Sequence, residues 1–137
     1  MTTKRFSCSL KNLEEICDYI THCANEAGLS ESEVYAVQLA VDEASTNIIE
    51  HGYGEECPDR IDITCEPVEE GLKVVIYDDA EPFNPEAVPE PDMDVSLENM
   101  KPRGLGLYLI HKMMDEVHYE STPNKGNTLT MIKRHTK

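Results

Sequence analysis

Residues 60–78 have the sequence RIDITCEPVEEGLKVVIYD, and this stretch decides the fold class. Two runs rich in β-branched side chains, 60–66 and 72–78, lie on either side of a turn-like Glu-Glu-Gly, which predicts a β-hairpin. A similar pattern occurs at 116–121 and 127–134, around a Pro-Asn-Lys-Gly turn. Strands that occur as adjacent hairpin pairs predict a mostly antiparallel sheet.

Two amphipathic helices are predicted before the first hairpin. The first begins after Asn12, which we interpret as its cap, and ends at Gly28. Ser30 and Glu33 have the spacing of a capping box, which predicts the start of a second helix that continues to about Gly52. Each helix has an apolar stripe, so we expect both to pack against the sheet.

The segment between the two hairpins is irregular. Residues 79–102 contain five prolines, which exclude a regular element. A loop this long in a compact domain is usually functional, often a lid. Residues 107–114 then have helical spacing. With a short first strand, this order predicts a two-layer α+β sandwich, a mixed, mostly antiparallel sheet covered on one face by helices. A length of 137 residues predicts one domain, 1–137.

Charge and composition exclude several classes of function. A formal net charge of −15 repels a phosphate backbone, and no basic stripe compensates for it, so nucleic acid is excluded as a partner. No apolar run is long enough to span a membrane, and no secretory signal is present, so we expect a cytoplasmic protein. Five cysteines without a CxxC pair suggest neither a disulfide framework nor a zinc site, and we interpret them as small buried hydrophobes.

The second predicted helix carries a polar line at the edge of its apolar stripe. Glu43, Asn47 and His51 follow one another at intervals of four residues and therefore lie on one side of the helix. A carboxylate there could accept a proton from an attacking hydroxyl group, and an amide oxygen is a suitable ligand for Mg²⁺. The spacing alone is also compatible with an alternative in which these residues are ordinary side chains on a solvent-exposed face of the helix.

Two further segments have the chemistry of a nucleotide site. Asp78 ends the second predicted strand, where its carboxylate could accept a hydrogen bond from an exocyclic amine such as that of adenine. The alternative is a turn-forming Asp-Asp pair. Gly104 and Gly106 permit close approach of the backbone at the start of a helix, where NH groups bind phosphate. A GxG pattern alone is not specific.

Together these segments are specific because of their order. The chain has EASTN at 43–47, DDAEPFNP at 78–85 and RGLGL at 103–107. In these residues it resembles the ATP-binding superfamily shared by gyrase, Hsp90, histidine kinases and MutL. It is most similar to the small stand-alone branch, the anti-sigma-factor serine/threonine kinases. The resemblance covers nearly the whole chain, including the Gly-Asn-Thr turn at 126–128, and implies a Bergerat-type ATP-binding fold.

The resemblance implies ATP and Mg²⁺ as cofactors and a role for individual residues. Glu43 would be the general base, Asn47 the magnesium ligand and Asp78 the adenine contact. Thr128 would support the adenine contact through water. Within the loop of residues 79–103, residues 86–103 would form the ATP lid. The residues expected to hold the phosphates beneath this lid are Gly104, Leu105, Gly106 and Leu107. Lys101, Arg103 and Lys125 are the basic residues near this region, and the alternative is that they are solvated surface cations. Arg103 would also stabilise charge on the transferred phosphoryl group.

One position departs from the family pattern. Ala80 stands where the loop after the adenine aspartate normally carries glycine. Alanine keeps the small size but costs about 1 kcal/mol if its φ angle is positive. We therefore expect Ala80 to be tolerated beside the nucleotide.

The resemblance implies an enzyme that phosphorylates a serine or threonine of an anti-anti-sigma protein of the STAS type. A sigma factor would be a second partner, and a homodimer is common in the family. One alternative is a non-catalytic module in which ATP controls partner affinity. Another is the catalytic domain of a histidine kinase, which we disfavour because the chain begins directly at the nucleotide fold.

Overall fold

In a computed structural model the described residues are 2–7, 10–49, 60–79, 109–122 and 126–135. The strands among them are β1 (Thr2–Ser7), β2 (Arg60–Val68), β3 (Gly71–Asp78), β4 (Glu116–Thr122) and β5 (Gly126–Arg134). The long helices are α1 (Leu13–Glu26), which follows a 3₁₀ turn at Leu10–Asn12, and α2 (Glu31–Asn47). Residues 109–113 are also helical.

The described strands form one sheet in the order β1-β2-β3-β5-β4. Every neighbouring pair is antiparallel, so the sequence correctly predicts both hairpins, while the parallel component of a mixed sheet is not found among these strands. β3 and β5 are adjacent although about 50 residues of chain separate them, because the two hairpins join side by side.

Helices and sheet share one apolar core. Burial alternates along β3, where Leu72, Val74 and Ile76 are completely buried. On the helix side the core includes Ile16, Ile20, Cys23 and Ala24 of α1 and Val34, Val37, Ala40, Val41 and Ala44 of α2. The predicted α+β arrangement of a sheet with its helices is confirmed. Asp78 continues the buried row of β3 at the strand's end, where it is 5% exposed.

The helix ends agree with most of the local sequence signals. The capping box is present: Glu33 N donates to Ser30 Oγ over 3.2 Å, and Ser30 N donates to Glu33 Oε1 over 2.7 Å. Gly28 follows α1 with a φ of +79°, as expected for a helix stop. Asn12 lies at the N-cap position, but its side chain makes no capping bond. The predicted cap position is therefore correct, but no capping bond forms because Asn12, the last residue of the 3₁₀ turn, has a helical backbone conformation.

The end of α2 is only partly described. The α-helix extends to Asn47, and residues 48–49 continue as a π-helical turn. Residues 50–52, the rest of the predicted helix, lie outside the described residues. The same is true of His51, the third member of the polar line.

The described cysteines fit the interpretation as small hydrophobes. Cys23 and Cys65 are buried, Cys17 is half-buried, and all three are free thiols. Burial is the main cause that raises the pKa of the Cys65 thiol, which also contacts Cys23. Within the described segments, no helix is long and apolar enough to cross a membrane.

Candidate functional site

Helix α2 carries the first pair of candidate residues. Glu43 and Asn47 are half-buried, and Ala44 and Ser45 between them are fully buried. Because residues four apart are separated by about one helical turn, the carboxylate and the amide lie one above the other. The two side chains therefore occupy the edge of the core face, as their spacing predicts.

The second part of the site joins the ends of β3 and β5. Asp78 and Asn127 are Cα partners in the antiparallel register. Asn127 Nδ2 donates a hydrogen bond of 2.9 Å to Asp78 Oδ1. Asp78 is 5% exposed and Asn127 is 2% exposed. A buried carboxylate is thus held by a buried amide at the point where the chain leaves β3 for the predicted lid loop.

Gly126 permits the close approach of these two strand ends. It begins β5 with a φ of +92°, which favours glycine over other residues. A Cβ atom at this position would lie 2.5 Å from Tyr77 Oη and 2.7 Å from the backbone oxygen of Asp78. Tyr77 Oη in turn donates a hydrogen bond of 2.7 Å to Asp79 Oδ1. Gly126 therefore allows β5 to approach β3 closely enough for Asn127 to contact Asp78.

Thr128, the candidate named from the sequence, is one residue beyond this contact. Its Cα atom lies opposite Tyr77 in the register. Successive side chains of a strand point to opposite faces, so the side chain of Thr128 lies on the face away from Asn127. The direct contact with Asp78 comes from Asn127, and a role for Thr128 stays a prediction.

Nearly the whole chain, including the candidate site, matches one known protein family. Residues 6–133 match the family described as the histidine kinase-like ATPase domain. The chain belongs to this family. The match includes every candidate residue named above.

Similar proteins of known name include a serine-protein kinase and an anti-sigma factor. The serine-protein kinase RsbW of Staphylococcus aureus is 33% identical over 114 residues, which cover 80% of this chain and 70% of that protein. The anti-sigma F factor of Clostridium novyi is 31% identical over 109 residues, with coverage of 74% and 71%. The recognition of the anti-sigma kinase family from the sequence is confirmed.

A solved structure supports the fold. The crystal structure of RsbU and RsbW domains from Mycobacterium tuberculosis has a TM-score of 0.61 and 12% identity. The match covers 100% of this chain, which spans only 35% of that longer chain. At this identity the similarity concerns the fold alone, and it agrees with the predicted fold class.

Several candidate residues of this histidine kinase-like ATPase domain lie outside the described residues. They are Ala80, Lys101, Arg103, Gly104, Leu105, Gly106 and Leu107. The helical residues 109–113, which follow them, are held against β5. Lys133 Nζ donates to the backbone oxygen of Met113 over 2.8 Å, and Asp115 N donates to that of Ile132 over 2.9 Å.

The buried hydroxyl group of Ser45, between Glu43 and Asn47, is expected to lower the free energy of unfolding of the protein. It is completely buried, and its Oγ has no hydrogen-bond partner among the described residues. Ser45→Ala removes this unsatisfied hydroxyl and should raise the free energy of unfolding by about 1 kcal/mol or more. Urea denaturation measures the change. Ser32→Ala, at an exposed position of the same helix, is the control and should change it by no more than about 0.5 kcal/mol. Equal gains would show that helix propensity alone accounts for the effect.

Proposed function

We propose that this chain binds ATP with Mg²⁺ and transfers the γ-phosphoryl group to a serine or threonine of a small anti-anti-sigma protein. Family membership and the names of the relatives, serine-protein kinase RsbW and anti-sigma F factor, support the kinase assignment. The acceptor is a STAS-type protein, and a sigma factor binds to the same domain. The chain acts in the cytoplasm, as a homodimer.

The observation that carries the proposal is the buried pair of Asp78 and Asn127. A carboxylate removed from water is unfavourable unless donors surround it. Asn127 supplies one donor, and an ionised carboxylate can accept about four hydrogen bonds. Asp78 can therefore accept an NH group of a ligand in addition to the bond from Asn127. The exocyclic amine of adenine brings such an NH group. ATP would therefore bind with its adenine ring at the end of β3.

Two side chains of α2, Asn47 and Glu43, have oxygen atoms suited to binding Mg²⁺ and to accepting a proton. Mg²⁺ prefers oxygen ligands, and the Asn47 side chain supplies an amide oxygen. When bound, the ion neutralises charge on the phosphates. Glu43, one turn earlier, accepts the proton of the attacking hydroxyl group. Glu43 is half-buried, which places it between the core and solvent.

The remaining groups act on the phosphates. Backbone NH groups at 104–107 bind the phosphate oxygens, and Lys101 adds positive charge for them. Arg103 stabilises the charge that develops on the transferred group. Ala80 takes the place of the usual glycine next to the base. In a chain with a net charge of −15, these cations and Mg²⁺ offset the repulsion between the protein and a nucleotide.

Calorimetry with ATP and Mg²⁺ tests the proposal. Wild-type protein should bind, and Asp78→Asn should lower the affinity about ten- to hundred-fold, because an amide replaces a charged acceptor and its NH₂ group faces that of Asn127. Asp62→Asn is the matched control, since Asp62 pairs with Arg5 over 2.9 Å on β2. If wild-type protein shows neither heat nor thermal stabilisation at millimolar ATP, the site assignment is wrong.

A further inference from the structure

A small cavity lies between α1 and the edge of the sheet formed by β1 and β2. Its volume is about 230 Å³, and its lining includes Thr2, His22, Cys23, Glu26 and Cys65. His22 and Glu26 are exposed and therefore lie at its rim, whereas Cys23 and Cys65 are buried and form its floor. The cavity thus gives access to two thiol groups that are otherwise enclosed in the core.

The two buried thiols of this cavity are in contact, although one lies on α1 and the other on β2. We propose that Cys23 and Cys65 form a peroxide-sensitive dithiol, which hydrogen peroxide entering the cavity converts into a disulfide between α1 and β2. Cys65 is four residues along β2 from Ile61, the partner of Asp78, so about 13 Å of strand separates the two regions. The inference therefore does not depend on the proposed function.

Packing holds the two thiols in place. Cys23 is 8% exposed and Cys65 is 2% exposed, and both belong to the apolar core. Side chains in a close-packed core keep defined rotamers, so the contact between the sulfur atoms is maintained. A disulfide requires a sulfur–sulfur distance of about 2 Å and side chains that point towards each other. Two thiols that already touch satisfy the second condition, and they need only a short approach to satisfy the first.

The surroundings of the thiols favour oxidation over metal binding. Among the residues that the structure describes, no group of three or more His, Cys, Asp or Glu side chains could hold a metal ion. The polar atom beside Cys23 is instead a hydroxyl group, since Thr2 Oγ1 lies 3.9 Å from Cys23 Sγ. Hydrogen peroxide is small and neutral, and it can exchange hydrogen bonds with such a hydroxyl. Because one water occupies about 30 Å³ of liquid, the cavity has ample room for a peroxide molecule.

Cys23 reacts first, because it is the more exposed thiol and burial raises the pKa of the Cys65 thiol, which keeps Cys65 protonated. Cys23 Sγ attacks one peroxide oxygen and the O–O bond breaks. The other oxygen leaves as water with the thiol proton, so that Cys23 becomes a sulfenic acid. Cys65 Sγ then attacks Cys23 Sγ, the S–O bond breaks, and a second water leaves with the Cys65 proton. The two thiols lose two electrons and two protons, and one peroxide is reduced to two waters.

The first test uses a protein whose only thiols are this pair. Cys8→Ser, Cys17→Ser and Cys57→Ser are combined, the first and third of these positions lying outside the described residues. The protein is treated with hydrogen peroxide, free thiols are alkylated in denaturant, and the intact mass is measured. We expect a monomer that carries no alkyl group and has lost two hydrogen atoms, and dithiothreitol should restore both thiols. Alkylation of both thiols, or a disulfide-linked dimer, would overturn the inference.

Peptide mapping of peroxide-treated wild-type protein provides the same answer if the triple variant does not fold. The expected product is a peptide pair linked through Cys23 and Cys65. Cys17 is the internal control, because it is half-buried but lies about 120° around α1 from Cys23. A bond that joins Cys17 to either member of the pair, or oxidation of all thiols to sulfinic acids without a bond, contradicts the proposal.

Single alanine variants in the triple-serine background test the order of attack. Cys65→Ala leaves Cys23 without its partner, so peroxide should produce a sulfenic acid that dimedone traps. Cys23→Ala leaves the more buried and protonated thiol, and we expect about ten-fold less trapping. Equal trapping in the two variants would show that Cys23 is not the first thiol to react.

The bond should also stabilise the protein against heat. Cys23 and Cys65 are 42 positions apart in the sequence, so a disulfide between them closes a long loop in the unfolded chain. In the triple-serine background, peroxide treatment should raise the thermal unfolding temperature by about 5 °C or more. Cys23→Ala in the same background, treated in the same way, controls for oxidised methionine and should show no rise. An equal shift in both proteins, or a fall in the protein that contains the pair, would mean that the folded core does not accommodate this bond, and the inference would be wrong.

Discussion

Glu43→Ala is expected to lower phosphoryl transfer by about 10²–10⁴-fold while the affinity for ATP changes by no more than a few-fold. A general base contributes mainly in the transition state, so its removal affects the rate more than the binding of the nucleotide. Glu43 is half-buried at the edge of the core face of α2. Transfer of labelled phosphate to the anti-anti-sigma partner measures the rate, and calorimetry measures the affinity.

Two variants on the same helix are the controls. Asn47→Ala should impair both binding and transfer, because a metal ligand acts in both. Asp42→Ala removes a neighbouring carboxylate that is exposed, and it should impair neither. Partner binding is measured in parallel, so that weaker docking is not taken for slower chemistry. If wild-type protein transfers nothing while ATP still changes partner affinity, the chain is a binding switch and Glu43 has no catalytic role.

The parts of the fold that could be predicted depend on local signals. The capping box of Ser30 and Glu33 involves residues three apart, and the hairpin of β2 and β3 is encoded by two β-branched runs with a turn between them. The position of Asp78 at the end of a strand was also evident from the chain alone. Such signals need no knowledge of distant residues, and the structure agrees with them.

The contact between Asp78 and Asn127 depends on a register between strands that are distant in sequence. No local pattern determines which residue of β5 lies opposite Asp78, and a shift of one residue exchanges the two faces. A usable signal was nevertheless present. Leu129 and Met131 are apolar residues at alternate positions, and their row continues to Asn127 rather than to Thr128. At Asn12 the N-cap position was predicted correctly, but the side chain makes no capping bond because its backbone is already helical.

Gly126→Ala is expected to lower the free energy of unfolding by about 2 to 5 kcal/mol, because strain and a steric clash add together. The φ of +92° is unfavourable for alanine, and the new Cβ would lie 2.7 Å from the backbone oxygen of Asp78. Relief of that contact requires the start of β5 to move away from β3. This movement carries Asn127 away from Asp78, so the affinity for ATP should fall as well.

Gly28→Ala separates the two causes. Gly28 also has a positive φ, +79°, but a Cβ there would meet nothing within 4 Å. This variant therefore has the strain without the clash, and it should cost about 1 to 2 kcal/mol with no change in the affinity for ATP. Urea denaturation of both variants gives the difference due to the clash. Equal losses of stability would mean that β5 can retreat from Asp78 without cost. In that case the close approach at Gly126 does not constrain the site, and Asn127 is not held in place by the backbone beside it.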